Sequence, residues 1–156
     1  MKNVLFLCTG NSARSQIAET LLNYLGKDRF HAVSAGIAPK DKVHPMAITI
    51  LKEMGFNTDG LRTKNLSEIN LQTVDFVFTL CDHAKESCPL LPSHLMTAHW
   101  SLDDPAEITD EAASRAAFKK TVLALESRIR LFLELPLEKL EKIELQHELD
   151  NIGIAK

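Results

Sequence analysis

The chain has 156 residues, of which 45% are hydrophobic, and 18 basic residues against 21 acidic ones leave a formal net charge of −3. This length and apolar content are typical of one domain with one buried core. The charge balance gives no reason to expect nucleic acid or an anionic membrane as a partner, and no stretch approaches the roughly 20 apolar residues of a transmembrane helix. The apolar run after Met1 is too short for a signal peptide, so we expect a cytoplasmic protein that acts as a monomer.

The hydrophobic pattern predicts strands and helices that alternate along the chain. Strands are predicted at residues 4–7, 30–33, 75–80 and 96–99. Helices are predicted from residue 12 onward, at 47–54, at 67–71 and at 110–135. This alternation favours right-handed crossovers and a mostly parallel sheet covered by helices on both faces, an α/β fold with three layers, α/β/α.

Pro136 interrupts the last long helix, and a charged segment follows it. Residues 137–149 have an apolar stripe at helical spacing, formed by Leu137, Leu140, Ile143 or Glu144, and Leu149. We therefore expect a main domain over residues 1–135 and a C-terminal helical appendage of the same domain over 136–156. The appendage could pack on the domain, pair with another copy or be loosely ordered.

A cysteine and an arginine flank the loop that connects the first predicted strand to the first predicted helix. Cys8 and Arg14 form a C-x5-R pattern, and Gly10 lets the backbone between them curl so that successive N–H groups can turn inward as an anion cradle. The Arg14 guanidinium can bind two oxyanion oxygens, and Ser12 and Ser15 offer hydroxyl donors. We expect this positive environment to lower the pKa of Cys8 below about 8.5. The alternative is a buried cysteine beside a surface arginine.

The string CTGNSARS, residues 8–15, resembles the phosphate-binding loop of the low-molecular-weight protein tyrosine phosphatases and of the arsenate reductases that share their fold. Further stretches are similar as well: SAGI from Ser34, TLC from Thr79, CPLLP from Cys88 and HWSLDDPA from His99. The resemblance covers residues 1 to about 132 and implies a four-stranded parallel sheet flanked by helices. It implies oxyanion binding by Thr9, Gly10, Asn11, Ser12, Ala13, Arg14 and Ser15. It implies catalytic roles for Cys8, Arg14 and Ser15, and for Asp104 as the acid before Pro105.

The resemblance leaves two activities open, and Cys81 and Cys88 distinguish them. In the reductases, a cysteine like Cys8 attacks arsenate, one like Cys81 then attacks the first sulfur, and one like Cys88 pairs with the second. The gap between Cys81 and Cys88 resembles the thioredoxin-coupled branch, so we expect arsenate reduction with thioredoxin as electron donor. The alternative is a phosphatase with a phosphocysteine intermediate, and weak phosphatase activity is expected in either case. Phosphate or sulfate fits the same loop.

Several other assignments compete for the same residues. Cys81, His83 and Cys88 could hold zinc, but the C-x2-C knuckles of structural zinc sites are missing, so we expect no metal site and no tightly bound cofactor. Some relatives build a potassium site that here matches Asn11, Ser34, Thr63 and Asn65. Since Asn65 replaces an acid, potassium dependence is doubtful. A protein that only binds phosphate or a phosphopeptide would need neither Asp104 nor the later cysteines.

Overall fold

The computed structural model describes residues 1–87 and 91–154. Its four strands are β1 (Lys2–Cys8), β2 (Phe30–Gly36), β3 (Phe76–Thr79) and β4 (Met96–His99). They form one sheet in the order β2-β1-β3-β4, and all three pairings are parallel. The predicted four-stranded parallel sheet is confirmed, and the carboxyl ends of all strands lie at one edge.

The helices are α1 (Arg14–Leu25), α2 (Pro45–Glu53), α3 (Asp82–Ser87), α4 (Glu111–Glu134) and α5 (Lys142–Ile154). Where the sequence predicted one short helix at 67–71, two 3-10 turns occur, Leu66–Glu68 and Leu71–Thr73. Two asparagines explain the difference, because the side chains of Asn65 and Asn70 accept hydrogen bonds from backbone N–H groups two residues on and begin a separate turn each. In the described ranges no helix combines the length and apolarity needed to cross a membrane.

Alternation along β1 divides the core between the two faces of the sheet. Val4 and Phe6 point into the larger cluster, which α1, α2, α4 and α5 cover. Leu5 and Leu7 point into a smaller cluster that also contains Cys8 and Cys81. Aromatic rings fill the larger cluster, and Phe78 stacks on Trp100 at 4.0 Å between ring centroids. The two thiols therefore lie on the thinner side of the sheet.

Helix α5 packs on the outer strand β4. The Trp100 indole N–H donates to the Leu149 carbonyl at 3.2 Å, and the Gln146 amide donates to the Thr97 carbonyl at 2.6 Å. Of the three arrangements left open for the appendage, packing on its own domain is the one observed. This helix covers an edge strand that would otherwise expose unpaired backbone groups. The division at residue 136 stays a prediction.

The predicted apolar stripe of the appendage is confirmed at Leu137, Leu140 and Leu149, which pack against the core, and was wrong at Ile143. Residues 136–139 form a turn, in which the Lys139 N–H donates to the Pro136 carbonyl, and α5 begins only at Lys142. Within α5, Ile143 is 86% exposed and the buried side chains are those of Leu145, Leu149 and Ile152.

We predict that Gly153→Ala destabilises the protein. Alanine normally stabilises a helix relative to glycine, but a Cβ at this position would lie 2.3 Å from the His99 carbonyl oxygen, so α5 would have to move off β4. The expected loss is about 1–3 kcal/mol in the free energy of unfolding, measured by urea denaturation. Ile154→Ala on the exposed side of the same turn is the control, with a change within about 0.5 kcal/mol. An equal or greater stability of Gly153→Ala would contradict the close packing.

Candidate functional site

The anion loop (residues 8–15) joins the central strand β1 to helix α1 and lines a cavity of about 160 Å³. The end of β2 lies directly against it, since a Cβ on Gly36 would be 2.5 Å from the Thr9 carbonyl oxygen. Glycine is required there by this close approach. Asn11 has a φ of 50°, in the left-handed region, which turns the loop back on itself.

The backbone of the anion loop turns its carbonyls outward and leaves several N–H groups without a described partner. Four of its carbonyls accept hydrogen bonds from the segment 37–44, so these oxygens face away from the cavity. The Thr9 backbone N–H donates to the Cys8 sulfur. None of the described hydrogen bonds uses the backbone N–H of residues 10–13, and no described side chain caps the first turn of α1. The loop thus offers unpaired N–H donors at a helix N-terminus, as the sequence predicted.

Asn11 holds the loop in this shape. Its side-chain amide donates to the hydroxyl oxygen of Ser15 at 2.7 Å, and its carbonyl oxygen accepts from the backbone N–H of Lys64 at 2.9 Å. The Gln16 amide donates to the Asn11 backbone carbonyl at 2.9 Å. Asn11 and Ser15 are completely buried, so the network is rigid and shielded from water.

Arg14 connects the anion loop to the acid loop (residues 101–110). Its side chain is almost fully buried, and one terminal nitrogen donates to the Leu102 carbonyl at 2.8 Å. The other terminal nitrogen lies 3.5 Å from an Asp104 carboxylate oxygen. The Arg14 Nε is buried and has no partner among the described groups, which leaves one charged donor for a bound oxyanion.

Asp104 lies at the mouth of the same cavity. One carboxylate oxygen accepts from the Ala106 backbone N–H at 2.9 Å, which closes a turn at Pro105. The other oxygen faces Arg14, and the side chain remains 38% exposed. The structure brings this predicted acid to the predicted cradle, whereas Asp103 faces a different cavity, between the acid loop and α4.

Cys8 and Cys81 lie in contact beneath the loop. Both are buried, at 4% and 8% exposure, and their side chains are hydrogen-bonded to each other. The Cys81 sulfur also lies 3.1 Å from the Thr9 hydroxyl and accepts from the Ala84 N–H at 3.4 Å.

The two thiols change each other's pKa in opposite directions. The hydrogen bond from Cys8, helped by Thr9 and Ala84, lowers the pKa of Cys81 to about 5. The hydrogen bond to Cys81 and burial raise the pKa of Cys8 despite the nearby Arg14. The expected lowering of the Cys8 pKa was therefore wrong for the anion-free protein. The sequence predicted the positive field of Arg14 and the helix N-terminus. It did not predict that the Cys81 sulfur, just after β3, accepts a hydrogen bond from Cys8.

Helix α3 separates Cys81 from Cys88, and its first turn is tied to the sheet. The His99 imidazole bridges the Thr79 hydroxyl at 2.7 Å and the Asp82 carboxylate at 2.8 Å. Cys88 lies outside the described residues. In the part of the chain that is described, no group of three or more His, Cys, Asp or Glu side chains is placed to hold a metal ion.

The residues matched to a potassium site do not fit the ion. The Asn11 oxygen already accepts two hydrogen bonds, and the Asn65 oxygen accepts from the Ser67 N–H. Ser34 donates to the Glu19 carboxylate at 3.0 Å, and the Lys64 ammonium lies 3.6 Å from that carboxylate oxygen. The Glu19 carboxylate beside the anion loop is thus paired with the Lys64 ammonium.

Comparison with known proteins agrees with this site. Residues 3–146 match the family described as low molecular weight phosphotyrosine protein phosphatase. The chain belongs to this family. A protein named arsenate reductase from Halalkalibacterium halodurans is 41% identical over 136 residues, which is 85% of this chain and 96% of that one.

Two solved structures show the same fold. The thioredoxin-dependent arsenate reductase of Corynebacterium glutamicum is 29% identical, with a TM-score of 0.70 over 89% of this chain and 64% of that one. A low molecular weight protein tyrosine phosphatase from T. tengcongensis is 26% identical, with a TM-score of 0.74 over 86% of this chain and 99% of that one. Reductases and phosphatases thus both share the family architecture.

Sequence reasoning missed three contacts of the site. They are the Thr9 hydroxyl on Cys81, the Lys64 ammonium on Glu19, and the Arg128 guanidinium on the carbonyls of Trp100 and Ser101. Each joins residues far apart in the chain, so no local spacing signals it. The one usable signal was the parallel sheet, which predicts that the residue after β1 meets the residues after β3.

We predict that the two thiols change each other's pKa in opposite directions. In a Cys88→Ser background, Cys8→Ala should raise the pKa of Cys81 above about 5, because the hydrogen bond that stabilises its thiolate is lost. Cys81→Ala should lower the pKa of Cys8, because the contact that raises it is removed. Thiolate absorbance in the ultraviolet, followed from about pH 4 to pH 10, measures both values.

Thr9→Val provides the matched control for this titration. It removes one weaker hydrogen bond to the Cys81 sulfur, so the Cys81 pKa should rise by less than in Cys8→Ala. An unchanged Cys81 pKa in Cys8→Ala would contradict the hydrogen bond between the two sulfurs.

Proposed function

We propose that this protein reduces arsenate to arsenite with electrons from thioredoxin. The observation that carries the proposal is a second buried thiol, Cys81, hydrogen-bonded to Cys8, which itself lines the anion cavity. Hydrolysis of a phosphate ester needs one thiol, whereas a two-electron reduction needs two that can become a disulfide. The name of the H. halodurans relative supports the same activity.

In the first step, arsenate binds in the anion loop and receives hydrogen bonds from the loop N–H groups and the free Arg14 Nε. The Cys8 proton passes to an arsenate oxygen as the Cys8 sulfur attacks arsenic, so no second free thiolate accumulates beside Cys81. A sulfur–arsenic bond forms as an arsenic–oxygen bond breaks. Asp104 donates the proton that lets this oxygen leave as water, since an unprotonated oxide is a poor leaving group.

In the second step, the Cys81 thiolate attacks the Cys8 sulfur. A disulfide forms, and the electron pair of the sulfur–arsenic bond stays on arsenic, which leaves as arsenite after protonation. Cys88 then attacks Cys81, so that a Cys81–Cys88 disulfide forms and the Cys8 thiolate is released. Two thiols of thioredoxin reduce this disulfide, which balances the two electrons given to arsenic.

The cavity favours a small substrate over an aryl phosphate. Its volume of about 160 Å³ suits a tetrahedral oxyanion, and beyond the loop itself its described lining consists of Ala38, Lys40, Asp104 and Glu107. These residues provide no aromatic surface on which a phenyl ring could stack. Phosphatase activity is the second candidate function, because the family shares the nucleophile and the cradle, and we expect it to be weak.

We predict that arsenate-dependent oxidation of NADPH, coupled through thioredoxin reductase and thioredoxin, requires all three cysteines. Cys8→Ser, Cys81→Ser and Cys88→Ser should each abolish turnover, because each removes one sulfur of the relay. After one turnover, Cys88→Ser should retain a Cys8–Cys81 disulfide, which peptide mapping by mass spectrometry detects. Asp104→Asn should lower the rate by about 100-fold, the usual contribution of a general acid.

The opposite pattern identifies a phosphatase. In that case the wild type shows no arsenate turnover, and it hydrolyses 4-nitrophenyl phosphate in a reaction that needs Cys8 and survives Cys81→Ser and Cys88→Ser. Turnover that survives Cys88→Ser alone would remove Cys88 from the relay and leave the Cys8–Cys81 disulfide as the one that thioredoxin reduces.

We also predict that arsenate turnover is the same in potassium chloride and in tetramethylammonium chloride. The Lys64 ammonium already balances the Glu19 carboxylate beside the loop. We expect the two rates to agree within about twofold at equal ionic strength, because both salts then screen the charges of the site equally and no specific potassium ion is needed. Lys64→Met is the informative variant, because it leaves Glu19 without its cation and should slow turnover in both salts. A specific stimulation of the wild type by potassium would contradict this prediction.

A further inference from the structure

The acid loop carries Asp104 past the end of β4 without a helix or strand of its own. A general acid works only when its proton lies within hydrogen-bonding reach of the leaving oxygen. Among residues 103–110 only Pro105 is buried, and a cavity of about 230 Å³ separates the loop from the facing side of α4. Apolar packing of this loop is therefore limited to the buried Pro105 and the partly buried Leu102 and Ala106.

Hydrogen bonds hold the segment 100–102 at the start of the acid loop, which we call its root. The N–H groups of Trp100 and Leu102 donate to carbonyls of Thr79 and Leu80, at 2.8 and 3.1 Å, and so continue the pairing with β3. The carbonyls of residues 100–102 then face two arginines.

Each arginine holds a different part of the root. Arg14 donates to the Leu102 carbonyl at 2.8 Å. Arg128, from α4, donates to the carbonyls of Trp100 at 3.3 Å and Ser101 at 3.0 Å. Arg14 also serves the anion, so Arg128 is the described side chain that fixes this root without lining the anion cavity.

We propose that Arg128 is a positioning residue for the general acid Asp104. Its neighbours Leu125 and Ile129 are buried on α4, so the stem of Arg128 leaves from a fixed point of the core. A charged donor shared by the Trp100 and Ser101 carbonyls fixes the direction in which the chain leaves β4, and with it the place of Asp104 three residues after Ser101. The inference rests on the proposed function, because it assumes that Asp104 protonates the departing oxygen.

The test compares Arg128→Met, Arg128→Lys, Asp104→Asn and the double variant Asp104→Asn/Arg128→Met. Arsenite production is measured with excess dithiothreitol as reductant, so that the result does not depend on thioredoxin. Arg128→Met should lower kcat by about tenfold and change the KM for arsenate by less than about twofold, because a misplaced acid slows chemistry rather than binding. Arg128→Lys keeps charged donors and should recover most of the rate.

The double variant separates positioning from general structural damage. If Arg128 acts through Asp104, Arg128→Met should cost less than about twofold once Asp104 is already asparagine. Arg130→Met is the matched control, because Arg130 lies on the same helix and pairs only with Glu126 among the described residues, and it should leave kcat unchanged. Thermal unfolding of each variant checks the fold, and Arg128→Gln replaces Arg128→Met if the latter does not fold.

Two results would overturn the inference. One is an equal loss from Arg128→Met with and without Asp104, and the other is a loss in Arg128→Lys as large as in Arg128→Met. Failure of the proposed function looks different. If Asp104→Asn leaves kcat unchanged, or if the wild type makes no arsenite, the acid role itself is wrong and the inference falls with it.

Discussion

The parallel pairing of β1 with both of its neighbours is the constraint on which the site depends. Because β2, β1 and β3 run in the same direction, the residues that follow them meet at one edge of the sheet. Gly36 can then touch the anion loop, and Cys81 can reach Cys8. An antiparallel neighbour would place the end of β3 at the opposite edge, and the two sulfurs would never meet.

Burial of this contact determines its chemistry. Two thiolates side by side in a buried site repel each other strongly, so ionisation of one sulfur opposes ionisation of the other. The Thr9 and Ala84 donors favour the thiolate of Cys81, whose pKa is lowered. In the proposed reaction this sulfur is already the thiolate that the second step requires. Arg14 connects the anion loop to the acid loop. Its terminal nitrogens contact the acid loop, and its Nε has no partner among the described groups and can donate to a ligand.

The parts of the fold that depend on local pattern were predictable. The strand at 96–99 and the long helix with Asp110 at its start follow from alternation, helical periodicity and capping chemistry. The errors occur where a neighbouring group overrides that pattern. Asn65 and Asn70 start separate turns where one short helix was predicted, and after the turn at Pro136 helix α5 begins only at Lys142.

For the site itself, residue types and order were enough to predict a strand-to-helix anion loop at Cys8–Arg14, because cradle, nucleophile and cation all lie within one short segment. Other features of the site depend on groups outside that segment, and only the tertiary structure determines them. The pKa order of Cys8 and Cys81, the ammonium of Lys64 on Glu19 and the grip of Arg128 on the acid loop are contacts between distant parts of the chain. Electrostatic energies depend on the distance between charges and on their burial, and the spacing of residues in the sequence predicts neither for groups far apart in the chain.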